Sequence, residues 1–203
     1  MLIALWENEL PFTYRLLDPH HPENGTEWAR RWPIRKMPVL VDGDRTVMET
    51  SAIIDHLQVF HGGPVRLIPE DAATAVEVRM MDRILDNYVM TPMIKLVSDA
   101  MRDADAKDLQ GAAEARQMLD TIYPWLNQRV AGCTWGAGDS FSLADCAAGP
   151  ALFYADWVNS IPPELHHLRG YHARLLARST IARAVDEARP YRHLFPLGAP
   201  DRD

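Results

Sequence analysis

The sequence predicts an α+β segment followed by an all-helical segment, and three observations lead to this fold class. Residues 39–48 have the pattern of a β-hairpin, in which short apolar runs flank an Asp-Gly turn. Apolar residues on both sides of this hairpin recur at helical spacing. From Asp71 onward the spacing is helical almost to the end and no convincing strand is present, which predicts a helical bundle.

The first segment is predicted to begin with a helix that ends before Pro11, because proline cannot continue a helix. Residues 12–17 are predicted to form a strand, residues 18–25 a loop and residues 27–32 a short helix or turn. This part of the chain is therefore expected to alternate between helix and strand before the hairpin begins.

The hairpin is predicted to lead directly into a helix. Asp42-Gly43 supplies its turn, since glycine tolerates positive φ, and residues 49–57 pass from polar residues into helical apolar spacing. The backbone N–H groups at such a helix N-terminus attract anions. Met37-Pro38 precedes the first strand, where proline costs no ladder hydrogen bond, and the sequence leaves the cis and trans forms of this peptide bond open.

The second segment is predicted to contain several long helices. A helix over residues 73–101 is expected to be interrupted at Pro92, a second covers residues 108–130 and a last one covers residues 178–188. The core stripe of the first is predicted to consist of Val76, Met80, Ile84, Leu85, Tyr88 and Val89.

Ser142 and Asp145 have the spacing of a capping box at a helix N-terminus. The Ser142 side chain can cap the new helix, while Asp145, three residues later, reaches back to the backbone. Because removal of a cap costs about 1 kcal/mol, Asp145→Ala is expected to destabilise the fold before it changes any chemistry.

Composition excludes several classes of function. The net charge of −7 and the absence of a Lys/Arg stripe argue against a nucleic-acid partner. No apolar run approaches the ~18 residues that a membrane helix needs, and Glu7 and Glu9 come too early for a signal peptide, so a cytoplasmic protein is expected. Cys133 and Cys146 have no zinc or CxxC spacing and are predicted to be two buried free thiols.

No metal site is predicted. His20-His21 lie in a proline-flanked loop, and His166-His167 and His172 lack a matching cysteine or an HExxH pattern. These histidines are expected to be exposed or capped.

Two motifs resemble the cytosolic glutathione transferases, of the bacterial type. The stretch KMPVLVDGDRTVMETSAIIDHL, residues 36–57, is similar to the second half of their thioredoxin-like domain. The stretch FSLAD, residues 141–145, is similar to the capping box of their helical domain. The motifs agree with the family in order and spacing, and the resemblance covers nearly the whole chain. It implies a thioredoxin-like N-terminal domain followed by an all-α helical-bundle domain.

The resemblance also implies a site for glutathione as co-substrate. In the family, the residue before a cis-proline pairs through its backbone with the cysteinyl part of glutathione, and an acidic and a hydroxyl residue hold its γ-glutamyl end. The corresponding residues are Met37, Pro38, Glu49 and Thr50. The family usually has serine in place of Thr50, but either hydroxyl can donate to a carboxylate.

The resemblance places the domain boundaries near residue 68, where residues 66–69 are similar to the family's interdomain linker. The expected division is a glutathione-binding domain over residues 1–62, a linker over residues 63–70 and an all-helical domain over residues 71–203.

The start of the chain departs from the family. There, a strand and a loop with the activating tyrosine, serine or cysteine precede the helix that residues 4–12 resemble. The N-terminal domain is therefore expected to be incomplete, through a start codon assigned too far downstream, which we favour, a truncated gene, or a replacement of the strand. The catalytic residue is unassigned, since nothing places Thr13 or Tyr14 near Met37, and Ser51 is close only to the γ-glutamyl end.

The function implied by the resemblance is an enzyme that conjugates the glutathione thiolate to apolar electrophilic small molecules, with a role in detoxification. The electrophile is expected between the domains, with Tyr88, Met93 and Trp157 as candidate contacts. The alternatives are a non-catalytic member that binds glutathione or a partner protein, and a glutathione-dependent isomerase of the same fold. A homodimer is expected by the same resemblance.

Overall fold

The computed structural model describes residues 1–203 and divides into two compact units, Met1–Ile68 and Pro69–Asp203. The predicted limits of the domains and of a separate linker stay predictions. The elements of the first unit are α1 (Leu2–Glu7), α2 (Pro22–Arg31), β1 (Val39–Asp42), β2 (Arg45–Met48) and α3 (Thr50–Phe60).

The two helices before the hairpin differ in how well the sequence predicted them. Helix α1 ends before Pro11 as predicted. Helix α2 begins at Pro22, inside the stretch predicted as a loop, and reaches Arg31. The loop prediction was wrong for residues 22–25 because proline is well suited to the first position of a helix, where its missing N–H costs nothing.

The predicted strand over residues 12–17 is absent, and this segment has no regular secondary structure. The sheet contains only β1 and β2, so the segment pairs with no strand. Its large apolar side chains are exposed, including Tyr14 at 62% and Leu16 at 44%. A segment with alternating apolar residues forms a strand only where a neighbouring strand pairs with its backbone N–H and C=O groups. The sequence of the segment itself does not reveal whether such a neighbour is present.

The predicted hairpin is confirmed. Strands β1 and β2 are antiparallel, with Val39 opposite Met48 and Asp42 opposite Arg45. Gly43 in the turn has φ +56, the positive value for which glycine is suited. The hairpin packs on α3 through Leu40 and Val47, which are the β residues that contact a core of Leu5, Ile53 and Leu57.

The segment that follows α3 is hydrogen-bonded to both α3 and α1. Gln58 bonds the backbone of Ile68 twice, donating to its carbonyl at 2.8 Å and accepting from its N–H at 2.9 Å. Asn8, at the end of α1, accepts a hydrogen bond from the Val65 N–H at 2.9 Å. Residues 61–68 are therefore fixed to two helices of the first unit.

The second unit is helical, as predicted. Its α-helices are α4 (Ala72–Leu85), α5 (Thr91–Ala100), α6 (Leu109–Arg129), α7 (Leu143–Val158), α8 (His166–Leu176) and α9 (Ser179–Ala188). A π-helical turn (Asp86–Met90) separates α4 from α5, and short 3₁₀ segments precede α6 and follow α9 (Ala104–Ala106 and Arg189–Leu194).

The predicted interruption at Pro92 is confirmed, since α5 begins one residue before this proline. The π-helical turn comes immediately before it, and the Thr91 hydroxyl donates to the Asp86 carbonyl at 2.9 Å. A proline in a helix removes an N–H donor and crowds the preceding turn, and a wider π turn accommodates both effects.

The core stripe predicted for the first long helix was confirmed for Leu85 and Val89, which are fully buried, but it was wrong for three other residues. Val76 and Met80 are exposed, at 63% and 40%, and Tyr88 is also exposed. The buried residues of α4 are Ala75, Val78, Met81, Asp82 and Leu85. The predicted residues 76, 80, 84 and 88 are spaced by four, and such residues drift by about 40° per step around a helix of 3.6 residues per turn. Residues at alternating steps of three and four, such as the buried ones, stay on one face.

The capping box at the start of α7 is confirmed, and Asp145 does more than cap the helix. One carboxylate oxygen accepts the Ser142 N–H at 2.9 Å, and the other accepts the Gly136 N–H at 2.8 Å and the Tyr171 hydroxyl at 2.7 Å. Burial raises the pKa of Tyr171 far above its usual value, and the adjacent Asp145 raises it further. Tyr171 is therefore a neutral hydroxyl donor, and the network joins α7, α8 and the preceding loop.

Both cysteines are free thiols, as predicted. Cys146 is buried in α7, but Cys133 is only partly buried, so the prediction of two buried thiols was wrong for Cys133. Cys133 lies in the turn after α6, where solvent reaches one side of the chain. None of the helices is both long enough and apolar enough to pass through a membrane.

Candidate functional site

The peptide bond between Met37 and Pro38 is cis, and it comes directly before β1. The Met37 side chain is 71% exposed. The chain before it is attached to α2, because the Trp28 indole N–H donates to the Lys36 carbonyl at 3.1 Å. The Met37 backbone therefore lies at an accessible edge of the first unit, between α2 and the hairpin.

The hairpin register brings the two halves of the predicted glutathione site to the same end of the sheet. Val39 is paired with Met48, so the residues just beyond this pair are Pro38 on one strand and Glu49 on the other. The four predicted residues come from two separate parts of the sequence, and the antiparallel pairing makes them neighbours.

Glu49 has an unusual backbone conformation at the start of α3. Its φ is +66°, in the left-handed region that residues with a Cβ adopt rarely. Such conformations cost of order 1–3 kcal/mol and are concentrated at functional sites. The Glu49 side chain is exposed and makes no capping hydrogen bond to α3, so its carboxylate lies beside a helix N-terminus and remains accessible.

The start of α3 is held in place by the core of the first unit. Ile53 and Ile54 are fully buried in the first turns of the helix, at 0% and 1% exposure. Leu40 and Val47 of the hairpin pack on the same core as Ile53. The exposed Glu49 and the half-buried Thr50 therefore lie at the start of a rigid element, which is what an accurate binding site requires.

The three residues predicted to contact an electrophile lie in the second unit and differ in accessibility. Tyr88 is on the π-helical turn and is 45% exposed. Met93 is buried in α5, at 6% exposure. Trp157 is partly buried near the end of α7, where the Phe195 ring lies 5.1 Å from it and the Arg192 guanidinium 5.2 Å. Tyr88 is therefore the most accessible of the three.

A second cluster in the first unit was missed by the sequence analysis, which considered other histidines. His56 Nε2 and His61 Nε2 each lie 2.7 Å from the same oxygen, Asp42 Oδ2. The hydrogen bonds from His56 and then His61 hold the pKa of Asp42 below its ordinary value. The one signal in the sequence is a pair of histidines at the C-terminal end of a helix that follows an acidic hairpin turn.

Family models match both units of the chain. Residues 1–58 match the model described as "Glutathione S-transferase, N-terminal domain". Residues 89–179 match the model described as "Glutathione S-transferase, C-terminal domain". The two matches are in the order that the resemblance predicted.

Three curated relatives cover most of the chain. FtsZ-localized protein A from Caulobacter vibrioides is 28% identical over 79% of this chain and 73% of its own length. A glutathione S-transferase from Hyoscyamus muticus is 25% identical over 76% of each chain. A probable maleylacetoacetate isomerase from Vibrio cholerae is 24% identical over 85% of this chain and 80% of its own length.

Solved structures match the fold over most of both chains. A glutathione S-transferase from Methylobacterium radiotolerans, in complex with glutathione sulfonate, has a TM-score of 0.75 and 26% identity, covering 90% of this chain and 86% of its own. A glutathione S-transferase domain-containing protein from Marinobacter aquaeolei has a TM-score of 0.77 and 24% identity, covering 88% and 92%. The predicted fold class, a thioredoxin-like segment followed by an all-helical one, is confirmed.

Proposed function

Because this chain belongs to the glutathione transferase family, as the resemblance predicted, we propose that it binds glutathione at the hairpin and the start of α3 and conjugates its thiolate to apolar electrophiles. The observation that carries the proposal is the exposed Glu49 carboxylate at the N-terminus of α3, where the Glu49 backbone has a left-handed conformation. The related structure from M. radiotolerans, which contains glutathione sulfonate, supports the same class of ligand.

Each proposed contact follows from the chemistry of glutathione. The α-ammonium group of its γ-glutamyl end pairs with the Glu49 carboxylate, and the adjacent α-carboxylate accepts from the Thr50 hydroxyl and the N-terminus of α3. The Met37 backbone, which precedes Pro38, pairs with the backbone of the cysteinyl residue. This arrangement extends the tripeptide along the end of the sheet and fixes the direction of its thiol.

Conjugation also requires activation of the thiol. A free thiol has a pKa of about 8.5, so only a few per cent is thiolate near neutral pH, and a positioned donor or positive charge raises that fraction. The activating residue is left unassigned. For the electrophile we propose Tyr88 as the principal contact, because it is exposed, with Met93 and Trp157 as secondary candidates.

Turnover tests the enzymatic part of this proposal. The full chain is mixed with glutathione and a generic aryl halide, and formation of the conjugate is followed by absorbance against the uncatalysed reaction. We expect a rate that is proportional to protein concentration and saturates with glutathione. No rate above the uncatalysed reaction, with or without detectable glutathione binding, would contradict the transferase proposal.

The relatives favour two alternatives, which a binding measurement and an isomerase assay separate. FtsZ-localized protein A is named for its location with another protein, which favours a non-catalytic member that binds a partner protein or glutathione. The probable maleylacetoacetate isomerase favours a glutathione-dependent isomerase. Glutathione binding without conjugation would support the first, and conversion of a cis-enedione substrate that requires glutathione would support the second.

Replacement of Glu49 by alanine tests the proposed binding site. We expect glutathione affinity to fall by ~1.5–3 kcal/mol, the usual range for a hydrogen bond involving charge, which corresponds to about 10- to 150-fold. Isothermal titration calorimetry on the full chain measures the change. Glu49→Gln keeps the shape of the side chain and removes its charge, so it should lose most of the same affinity.

Glu9→Ala is the matched control for this substitution. Glu9 is an exposed glutamate in the same unit, and its φ of +52 is also positive. Glu9→Ala therefore removes the same charge as Glu49→Ala, from a residue with a similar backbone conformation. Glu9→Ala should leave glutathione affinity unchanged. Equal affinity of the Glu49→Ala and wild-type proteins would refute the placement of the γ-glutamyl group at the start of α3.

A further inference from the structure

Asp42, His56 and His61 bring three metal-ligand atoms together in the first unit. The imidazole nitrogens and a carboxylate oxygen all lie within 4.8 Å of one another. His56 is 7% exposed at its side chain, whereas His61 is 39% and Asp42 31% exposed. The cluster therefore has one buried ligand and two that solvent can reach.

We propose that these three residues bind a divalent transition-metal ion, for which Zn²⁺ is the best fit. Two imidazole nitrogens and one carboxylate oxygen are preferred zinc ligands, and a water molecule would complete a tetrahedral site on the exposed side. Ca²⁺ and Mg²⁺ prefer sets made entirely of oxygen ligands, which this cluster does not provide.

The geometry requires side-chain adjustments to hold the ion. With metal-ligand bonds of about 2.0–2.2 Å, ligand atoms in a tetrahedral zinc site are roughly 3.3–3.6 Å apart. Both histidine nitrogens are now 2.7 Å from Asp42 Oδ2, so each of these two separations must increase by roughly 0.6–0.9 Å. The two nitrogens, which lie within 4.8 Å of each other, must reach the same spacing. The solvent-accessible side chains of His61 and Asp42 can supply this movement, while the buried His56 stays in place.

The surrounding charges favour a cation at this point. His61 is the C-cap residue of α3, and the C-terminus of a helix carries a partial negative charge that favours cations. Asp42 adds a full negative charge. Arg45, which faces Asp42 across the hairpin, directs its guanidinium over the Phe60 ring at 4.5 Å from the centroid. The Arg45 guanidinium therefore makes a cation–π contact with Phe60.

The ion would fasten the turn end of the hairpin to the C-terminal end of α3. The proposed glutathione contacts lie at the other ends of the same two elements, before β1 and at the first residue of α3. The eleven residues of α3 span roughly 16 Å at a rise of 1.5 Å per residue, so the two sites are distinct. The role of the ion is therefore structural, and the proposal does not rest on the proposed function.

Calorimetric titration with Zn²⁺ tests the proposal on the full chain without a histidine tag, after treatment with a chelator. We expect one ion per chain with micromolar or tighter affinity. Loss of one of the three protein ligands in His61→Gln should weaken binding by at least about tenfold. The matched control is His167→Gln, an exposed histidine in α8 of the second unit, which should bind as the wild type does.

A second measurement identifies the ligands and guards against a folding defect in the variant. Zn²⁺ should raise the midpoint of thermal unfolding in the wild type and in His167→Gln, but not in His61→Gln or Asp42→Asn. Co²⁺ bound in place of Zn²⁺ should give visible bands without a thiolate charge-transfer band. Equal zinc affinity of His61→Gln and wild type, no binding by the wild type, or a thiolate band from Cys133 would overturn the proposal.

Discussion

Replacing Asp145 with alanine is expected to lower the free energy of unfolding by about 4 kcal/mol, well beyond the ~1 kcal/mol that a lost helix cap costs. The Asp145 side chain is fully buried and accepts from Gly136, Ser142 and Tyr171. Its removal leaves the Gly136 N–H and the Tyr171 hydroxyl buried without a partner, at ~1–3 kcal/mol each. Urea unfolding, followed by circular dichroism, measures the loss.

The matched control is Asp71→Ala, which removes a cap of the simple kind. Asp71 is exposed at the start of α4 and accepts from the Thr74 N–H at 2.8 Å. Water can replace that hydrogen bond, so the expected cost is about 1 kcal/mol. If Asp71→Ala and Asp145→Ala destabilise the protein equally, the network around Asp145 contributes nothing beyond the cap.

Asp145→Asn separates the shape of this side chain from its acceptor capacity. An amide keeps one oxygen acceptor and replaces the other with an NH₂ donor. That donor would face either the Ser142 N–H or the pair formed by Gly136 and Tyr171, because the two carboxylate oxygens serve these separately. We therefore expect a loss of stability between those of the Asp71→Ala and Asp145→Ala variants.

Elements defined by local chemistry were predictable from the sequence. The capping box of Ser142 and Asp145, predicted from its spacing, marks the start of α7 in the structure, where Asp71 and Asp108 also cap α4 and α6. These signals depend on residues within one helical turn of each other, so no knowledge of the tertiary fold is needed to read them.

Features that depend on distant partners were not predictable. Residues 12–17 alternate as a strand should, yet the chain provides no neighbouring strand for them. The face of α4 that is buried was also misjudged, because both Val76 and Val78 are apolar and only packing decides between them. In each case the local pattern permits two outcomes and a non-local contact selects one.

The same distinction between local signals and distant contacts applies to the candidate sites. Met37, Pro38, Glu49 and Thr50 could be named from a motif, and the hairpin register then explains why these residues are adjacent. The cluster of Asp42 with His56 and His61 spans 14 and 19 residues of sequence and has no standard spacing. Such a cluster can be recognised only after the hairpin is packed on α3.

Gly63→Ala is expected to destabilise the first unit by roughly 3–5 kcal/mol, because strain and overpacking each cost about 1–3 kcal/mol. Gly63 has φ +136°, a conformation that residues with a Cβ rarely adopt. A Cβ there would also lie 2.5 Å from Cβ and Cγ of Asn8, far inside van der Waals contact. Asn8 cannot move away freely, since it accepts the Val65 N–H and donates to the Ala4 carbonyl.

Gly62→Ala is the matched control one residue earlier. Gly62 has φ +68°, but nothing lies within 4 Å of the point that a Cβ would occupy, so alanine there adds left-handed strain of about 1–2 kcal/mol and no clash. Hydrogen exchange of the buried amides of Ile53 and Ile54 reports the stability of the first unit in both variants. Similar losses for the two variants would show that the contact between Gly63 and Asn8 is unimportant.

A double-mutant cycle isolates that contact from the backbone strain. Asn8→Gly removes all the side-chain atoms that the new Cβ would meet, although it also gives up the hydrogen bond to Val65. In this background the additional cost of Gly63→Ala should fall towards that of Gly62→Ala, because only the φ strain remains. A cost of Gly63→Ala that is the same with Asn8 and with glycine at position 8 would assign the whole effect to the backbone. The interaction energy therefore measures how tightly the end of α1 is packed against the loop that follows α3.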